Sequence, residues 1–396
     1  MELKFNFVAD SVVKGRIYPA LSRHHARPYT TLWREFGQHW PYTIPVRLQE
    51  YCDRHGVPIG LYKPTDVLPL NTYYPVGLAF FDFEIDYFEL IDTVLRVRLQ
   101  KGELRVLFYY HEGDNPACIK ARLDQLACNH SMPGDCYIFV SANSAADHLP
   151  GFVSFDDFEL WFFQRNLSVT PLAAHAAPRP KDFTALVRLH KWWRATAMSH
   201  LHQQRILDNS YWSYCEAAAG ADTDSPIEVD SFDQLRIHRD QFLKTVPWTS
   251  DEMSQAERNN HSVIDPKYFT NSYCNIVLET HFDADQSGGV FLTEKTFKPI
   301  KHGQMFFVAG CAGSLQRLRD LGYCVFDSVL DNSYDLETNS TDRWRKLVAA
   351  IKQAQPNLAQ LNQTALPDIM HNQKLFTASK HTRLNTLIQN INAQYN

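Results

Sequence analysis

No stretch of the 396 residues approaches the ~18 consecutive apolar residues of a membrane-spanning helix, so an integral membrane protein is not expected. The first ten residues, MELKFNFVAD, lack the basic start and apolar stretch of a secretory leader. A soluble, unexported, cytoplasmic chain without membrane partners is the expectation. Cys-x-x-Cys pairs are absent too, the eight cysteines (Cys52, Cys118, Cys128, Cys136, Cys215, Cys274, Cys311, Cys324) being scattered. A chain this long folds without covalent staples, so they read as reduced, mostly buried thiols. Without export, Asn-x-Ser/Thr triplets such as Asn166-Leu167-Ser168 carry no glycosylation meaning. Positive charge is also in deficit: 39 Lys and Arg against 44 Asp and Glu give −5, which argues against a protein that coats nucleic acid through bulk charge. Internal repeats and low-complexity tracts are missing as well.

What is present is ordinary globular usage, 44% hydrophobic and 21% charged, which excludes disorder, collagen and coiled coil. The length predicts two or three domains. The 13% aromatic share fills interiors first and permits stacking on sugar or base rings only secondarily.

Prolines 19, 28, 41, 45, 58, 64, 69 and 75 interrupt any helical period, and no elements are assigned over residues 1–95. From Leu104 to Tyr110 the run LRVLFYY reads as a strand buried on both faces. A turn, His111 to Pro116, ends it; Ile119, Leu123 and Leu126 mark a helix, and Tyr137 to Val140 a second strand. This β-α-β unit predicts a parallel sheet. The Ala- and Pro-rich stretch Leu172 to Pro180 is the linker candidate. Beyond it come a strand, Phe183 to Val187, a helix from about His190 burying Trp193, Ala197 and Leu201, and a polar loop over 216–230. Then follow strand Cys274 to Leu278, helix Glu294 to Lys301, strand Met305 to Ala309, helix Ser314 to Leu321 and strand Tyr323 to Phe326, with helices only beyond Asp342. Open parallel sheets bind ligands past the carboxyl ends of their strands, so the polar residues there are the candidates.

Thr293-Glu294-Lys295 opens an apolar-periodic helix. Thr is a good N-cap, and a Lys in a first helical turn is misplaced against the helix dipole unless an anion satisfies it. A capped surface helix in which Glu294 offsets Lys295 is the plainer alternative. Together with a strand ending in Leu278-Glu279-Thr280 and the Gly303 that precedes the next strand, this pattern resembles the donor-binding half of fucosyltransferase-type glycosyltransferases and their viral and phage relatives. The resemblance covers about Phe183 to Asp335, and departs from the family where its Phe-Glu-Asn is Leu278-Glu279-Thr280 and where Gln304 replaces the usual Pro after Gly303.

The resemblance implies an α/β fold of two facing Rossmann-like domains, GT-B-like, with C-terminal helices. Expected limits are 1–175 for an acceptor-side domain, 176–340 for a nucleotide-sugar domain and 341–396 for the helices. It implies an inverting, nucleotide-sugar-dependent transferase, in the host cytoplasm if viral, with donor-binding residues Glu279, Thr293, Glu294 and Lys295. Fucose itself is not implied.

Arg188-Leu189-His190-Lys191-Trp192-Trp193-Arg194 places three cations at a strand-to-helix junction, which favours a diphosphate; Arg188, Lys191 and Arg194 join the donor-binding set. A solvated basic face with both Trp residues in the core is the alternative. After the buried strand, His111-Glu112-Gly113-Asp114 offers the general base that direct glycosyl transfer needs, Glu112 first and Asp114 second. Asp114 or Asn115 before Pro116 also reads as a helix start.

Asp283 to Glu294 fits a calcium loop, with acids at its first and third positions, Gly288 at the sixth and Glu294 at the twelfth. The preceding segment reads as strand, Pro299 interrupts the exit helix and no second loop exists, so calcium is not expected to be required and no metal ligand is assigned. Asp283-Ala284-Asp285 matches a metal-site triplet only weakly. Lys14 to Arg34 holds five cations, no acid and interleaved Tyr18, Tyr29 and Trp33. It reads as a solvated loop or as a phosphate-tracking segment, which leaves glycan, protein and modified nucleic acid open as acceptors. The other class in play is a non-catalytic carbohydrate- or partner-binding protein, ordered by calcium.

Overall fold

The computed structural model describes residues 5–8, 46–78, 81–165, 177–188, 190–214, 242–243, 265–283, 287–378 and 380–394. The runs 14–34 and 216–230 and residues 284–286 lie outside these. The chain divides into two compact units, Met1–Asp157 with Ser379–Asn396, and Phe158–Ala378. Position 175, where a domain limit is expected, falls outside the described residues.

The first unit holds six parallel strands in the order β2-β1-β3-β4-β5-β6: β1 Phe5–Val8, β2 Ile59–Tyr62, β3 Thr72–Leu78, β4 Arg105–Tyr110, β5 Tyr137–Ser141 and β6 Phe152–Ser154. Helices α1 (Val46–His55), α2 (Thr93–Gln100) and α3 (Pro116–Asn129) belong to this unit, and α4 (Asp157–Arg165) begins at its limit. β4 is buried from Val106 to Tyr110, as an unbroken apolar run covered on both faces should be. Asn115 starts α3 by accepting from the Ala117 N–H at 3.0 Å, and Pro116 sits in the first turn, where its missing N–H costs nothing. Ile119, Leu123 and Leu126 are buried, as their spacing predicts.

β3 contains Pro75, which cannot donate to a ladder. The β1–β3 pairing runs Asn6 to Thr72 and Phe7 to Tyr73, so Pro75 lies past it and needs no donor on that side.

The second unit carries four parallel strands in the order β10-β9-β7-β8: β7 Lys181–Val187, β8 Ser210–Tyr214, β9 Ser272–Leu278 and β10 Met305–Ala309. Among the described residues its α-helices are α4 from Phe158 on, α5 (Trp192–Gln203), the single turn α6 (Lys267–Thr270), α7 (Glu294–His302), α8 (Ser314–Asp320), α9 (Ser340–Ala354), α10 (Leu358–Thr364) and α11 (Leu366–Ala378). The last helix, α12 (Lys380–Ala393), is part of the first unit, where it buries Leu384, Leu387, Ile388 and Ile391.

One expected strand is corrected. Tyr323, Val325 and Phe326 are buried and Cys324 is half-buried, but the segment joins neither described sheet: Phe326 stands at φ 66°, which breaks an extended run. Amide side chains do the work of a ladder there. Asn372 accepts from the Cys324 N–H and donates to its carbonyl, both at 2.8 Å, and Asn332 donates to the Val325 carbonyl at 2.7 Å.

The described residues thus form two Rossmann-like α/β sheets followed by C-terminal helices, the α/β class expected from the sequence. Among the described residues no helix is long and apolar enough to cross a membrane. Seven cysteines are unpaired, with Cys52, Cys136, Cys274 and Cys311 buried and Cys118 and Cys128 exposed; Cys215 lies outside the described residues.

Candidate functional site

Adjacent parallel strands β7 and β9 end side by side, and the residues that follow them, Arg188 and Glu279, stand at the carboxyl edge of the second sheet. Helix α7 starts against that edge. Thr293 is its N-cap, its hydroxyl accepting from the Lys295 N–H at 3.4 Å. Gly303 closes the helix at φ 66°, a left-handed turn that favours glycine.

Glu279 is 1% exposed, and its carboxylate is filled by neutral donors. Oε1 accepts from the Thr293 N–H at 3.1 Å and the Thr296 hydroxyl at 2.6 Å, and Oε2 from the Thr293 hydroxyl at 2.6 Å and the Thr280 N–H at 3.1 Å. Glu279 therefore organises the start of α7 rather than presenting a free carboxylate. Its backbone carbonyl is gripped in turn by Arg194, whose Nε and one terminal nitrogen donate at 3.1 and 2.6 Å. Arg194 is 4% exposed and lies 5.6 Å over the Trp193 ring, so this cation ties α5 to the end of β9.

Three other cations gather at the same edge. The Lys295 ammonium lies 3.0 Å from the Thr293 hydroxyl oxygen, 3.4 Å from that of Thr280 and 3.3 Å from the Glu294 carboxylate. The Lys295 side chain is 28% exposed and that of Glu294 7%. Lys298 is half-buried one turn further along α7, and it makes no hydrogen bond or ion pair with any described residue. Burial pushes its ammonium down to about 8; Glu294 and Glu279 oppose the shift, whereas Arg188 and Lys295 add to it. That electrostatic coupling puts Arg188, from the end of β7, in one group with the α7 cations. Lys298 escapes sequence reasoning because Glu294 and Lys298, four apart, read as a surface pair; its spacing of three from Lys295, which puts both on one helix face, is the signal that could have found it.

Lys191 is the extended residue before α5 and makes no side-chain cap hydrogen bond. Trp193 is buried and stacks on Phe282 at 5.1 Å, while half-buried Trp192 meets the His190 ring edge-on at 4.9 Å. His190 pairs Nδ1 with the Tyr214 hydroxyl at 2.6 Å, tying this junction to β8.

In the first unit, Glu112 and Asp114 follow β4. Glu112 is 40% exposed, with the His111 Nε2 3.7 Å away. Asp114, exposed, accepts from the buried Tyr110 hydroxyl, and burial, then this carboxylate, holds that phenol well above its ordinary range. The helix-start alternative holds for Asn115, which caps α3, and it leaves both carboxylates out of the cap. The Gly113 carbonyl between them is pinned by the buried Asn143 amide at 2.9 Å.

Of the calcium loop, the segment before it is strand β9, and Asp283 accepts from the Ser340 hydroxyl at 3.1 Å. Among the described residues no group of His, Cys, Asp and Glu is arranged to hold a metal ion.

No family model and no curated protein matches the chain. Two solved structures are similar to it. An alpha,alpha-trehalose-phosphate synthase (UDP-forming) from Burkholderia vietnamiensis has 9% identity and a TM-score of 0.33, covering 86% of this chain and 77% of that one. An alpha,alpha-trehalose 6-phosphate synthase from Burkholderia multivorans has 12% identity and a TM-score of 0.31, covering 86% and 74%.

Proposed function

We propose that the chain is a nucleotide-sugar-dependent glycosyltransferase whose donor diphosphate sits at the start of α7. The observation that carries this is the grouping of Arg188, Lys295 and Lys298 at the carboxyl edge of a parallel sheet, where the nearby Glu279 carboxylate is taken up by four neutral donors. Cations concentrated beside a helix N-terminus suit a phosphate ligand, and stabilising a diphosphate leaving group is what glycosyl transfer from a nucleotide sugar requires.

In this proposal Lys295 and Arg188 contact the diphosphate, Glu294 the ribose, and Glu279 and Thr293 hold the helix start in place. Lys191, the residue before α5, is a further donor-binding cation, and Arg194 acts as a brace rather than a ligand. Glu112 is the general base that takes the acceptor proton, in a direct displacement with the inversion that the fucosyltransferase-like motif implies. A sugar, a protein side chain or a modified base remains the acceptor class.

Release of nucleotide from a panel of UDP-, GDP-, CMP- and dTDP-sugars, with and without mixed acceptors, tests the reading. Acceptor-stimulated release from one of them is expected. No release from any, with the protein folded, removes the transferase assignment and favours a non-catalytic carbohydrate-binding protein.

A further inference from the structure

The Lys298 ammonium is the least satisfied charge at the α7 start. It has no hydrogen-bonding or ion-pairing partner among the described residues, it is half-buried, and it shares its surroundings with two more cations. A helix position of this kind gains nothing from a lysine by packing alone, since an apolar side chain would bury more cheaply. We propose that Lys298 is the third member of a three-cation seat, with Arg188 and Lys295, and that it takes up a proton when a diphosphate binds, so that the seat favours highly charged phosphate groups over singly charged anions. The proposal rests on the donor-site reading above and names a further residue of that site.

The charged groups that face Lys298 are Glu294 and Lys295 from its own helix, Arg188 from the end of β7 and Glu279 from the end of β9. Glu294 supplies the larger share of the opposing negative charge and Glu279, whose oxygens are taken up by threonines and backbone, the smaller. A diphosphate adds more negative charge than Glu294 supplies. It therefore drives the amine to its charged form, and the proton comes from solvent, leaving the ligand's own bonds untouched. Because the free amine titrates near 8, a rising share of the unliganded protein carries it neutral as pH climbs through that value. Recharging it then works against binding.

Calorimetric titration of the folded full-length chain with inorganic pyrophosphate, UDP and GDP, at about pH 7.5 and about pH 9.5 in two buffers of different ionisation enthalpy, tests this. In the wild type, affinity should fall about tenfold or more between the two pH values, with net proton uptake at the higher one. Lys298→Met should bind about tenfold more weakly at the lower pH and show little dependence on pH. Lys298→Arg keeps its charge throughout, so it should hold affinity and lose the pH dependence, which also covers the case where the Met variant fails to fold. Equal pyrophosphate and nucleotide affinity in wild type and Lys298→Met overturns the inference while leaving the donor site standing. A wild-type pH dependence retained in Lys298→Arg overturns it as well. If pyrophosphate shows the full pattern and no nucleotide binds better than pyrophosphate, the seat is upheld and the nucleotide-sugar reading falls.

Discussion

The ends of β4 and β9 occupy the same topological position in two parallel sheets and carry opposite chemistry. Past β4 stand two carboxylates that the protein leaves accessible, Glu112 at 40% exposure and Asp114 at the surface. Directly past β9 the carboxylate Glu279 is buried and accepts four hydrogen bonds from neutral donors, and the cations Arg188, Lys295 and Lys298 gather at the same edge. In the proposed function the same architecture offers a proton acceptor at one edge and an anion seat at the other. Fold alone could not have said which; the side chains that follow each strand decide it.

The largest effect that would break this contrast concerns Glu112. Glu112→Gln should lower turnover about 100-fold or more, roughly 2.7 kcal/mol of barrier, with nucleotide affinity unchanged. Steady-state kinetics beside a binding titration reads both, and full turnover in the variant moves the base elsewhere. Glu279→Gln comes next. It puts an amide donor against four donors, two of them backbone N–H groups that cannot rotate away, and should cost about 2 kcal/mol of stability in urea denaturation. Unchanged stability would mean that the hydrogen-bonded clasp does not organise α7.

Lys301 sharpens the contrast within one helix. Three residues after Lys298 it is also pushed down, from 10.5 to about 8, by burial, but it is 2% exposed and packs over the Phe162 ring at 5.4 Å. The unfolded chain holds that proton more tightly, so the wild-type protein should gain stability as pH rises from about 8 to about 10.5. Lys301→Met should stabilise by roughly 1 to 2 kcal/mol near pH 7 and lose that advantage across the same window, without altering nucleotide binding. Thermal melts over pH check the first, and a binding change would show that Lys301 belongs to the site. The smallest effect is expected for Asp114→Asn, whose amide oxygen can still accept from Tyr110; turnover should fall less than about threefold. A collapse there instead would exchange its role with that of Glu112.

Much of this was legible from the chain, and the exceptions have physical reasons. Long apolar runs such as LRVLFYY and the i, i+4, i+7 pattern of Ile119, Leu123 and Leu126 mark β4 and α3 because both bury whole faces. β3 was hidden by Pro75, and β8, SYWSY, by its serines and its place at a sheet edge, where half-burial weakens the pattern. Tyr323 to Phe326 has the composition of a strand but finds its partners in Asn372 and Asn332, a substitution that only tertiary placement reveals. At the site, the sequence marks the cations at two helix starts but not their use. Arg188 and Arg194 look alike six residues apart, yet Arg194 is buried on the Glu279 carbonyl, and Lys298 looks like half of a surface pair.

The central claim, that the start of α7 seats a nucleoside diphosphate, is tested most directly by thermal protection of wild type and Lys295→Ala with UDP, GDP, CMP and dTDP. The wild type should be protected by at least one nucleoside diphosphate, by about 2.7 kcal/mol at a hundred times its Kd. Lys295→Ala should melt at the wild-type temperature without ligand and lose that protection. Equal protection of the variant, or none of the wild type, would contradict the account.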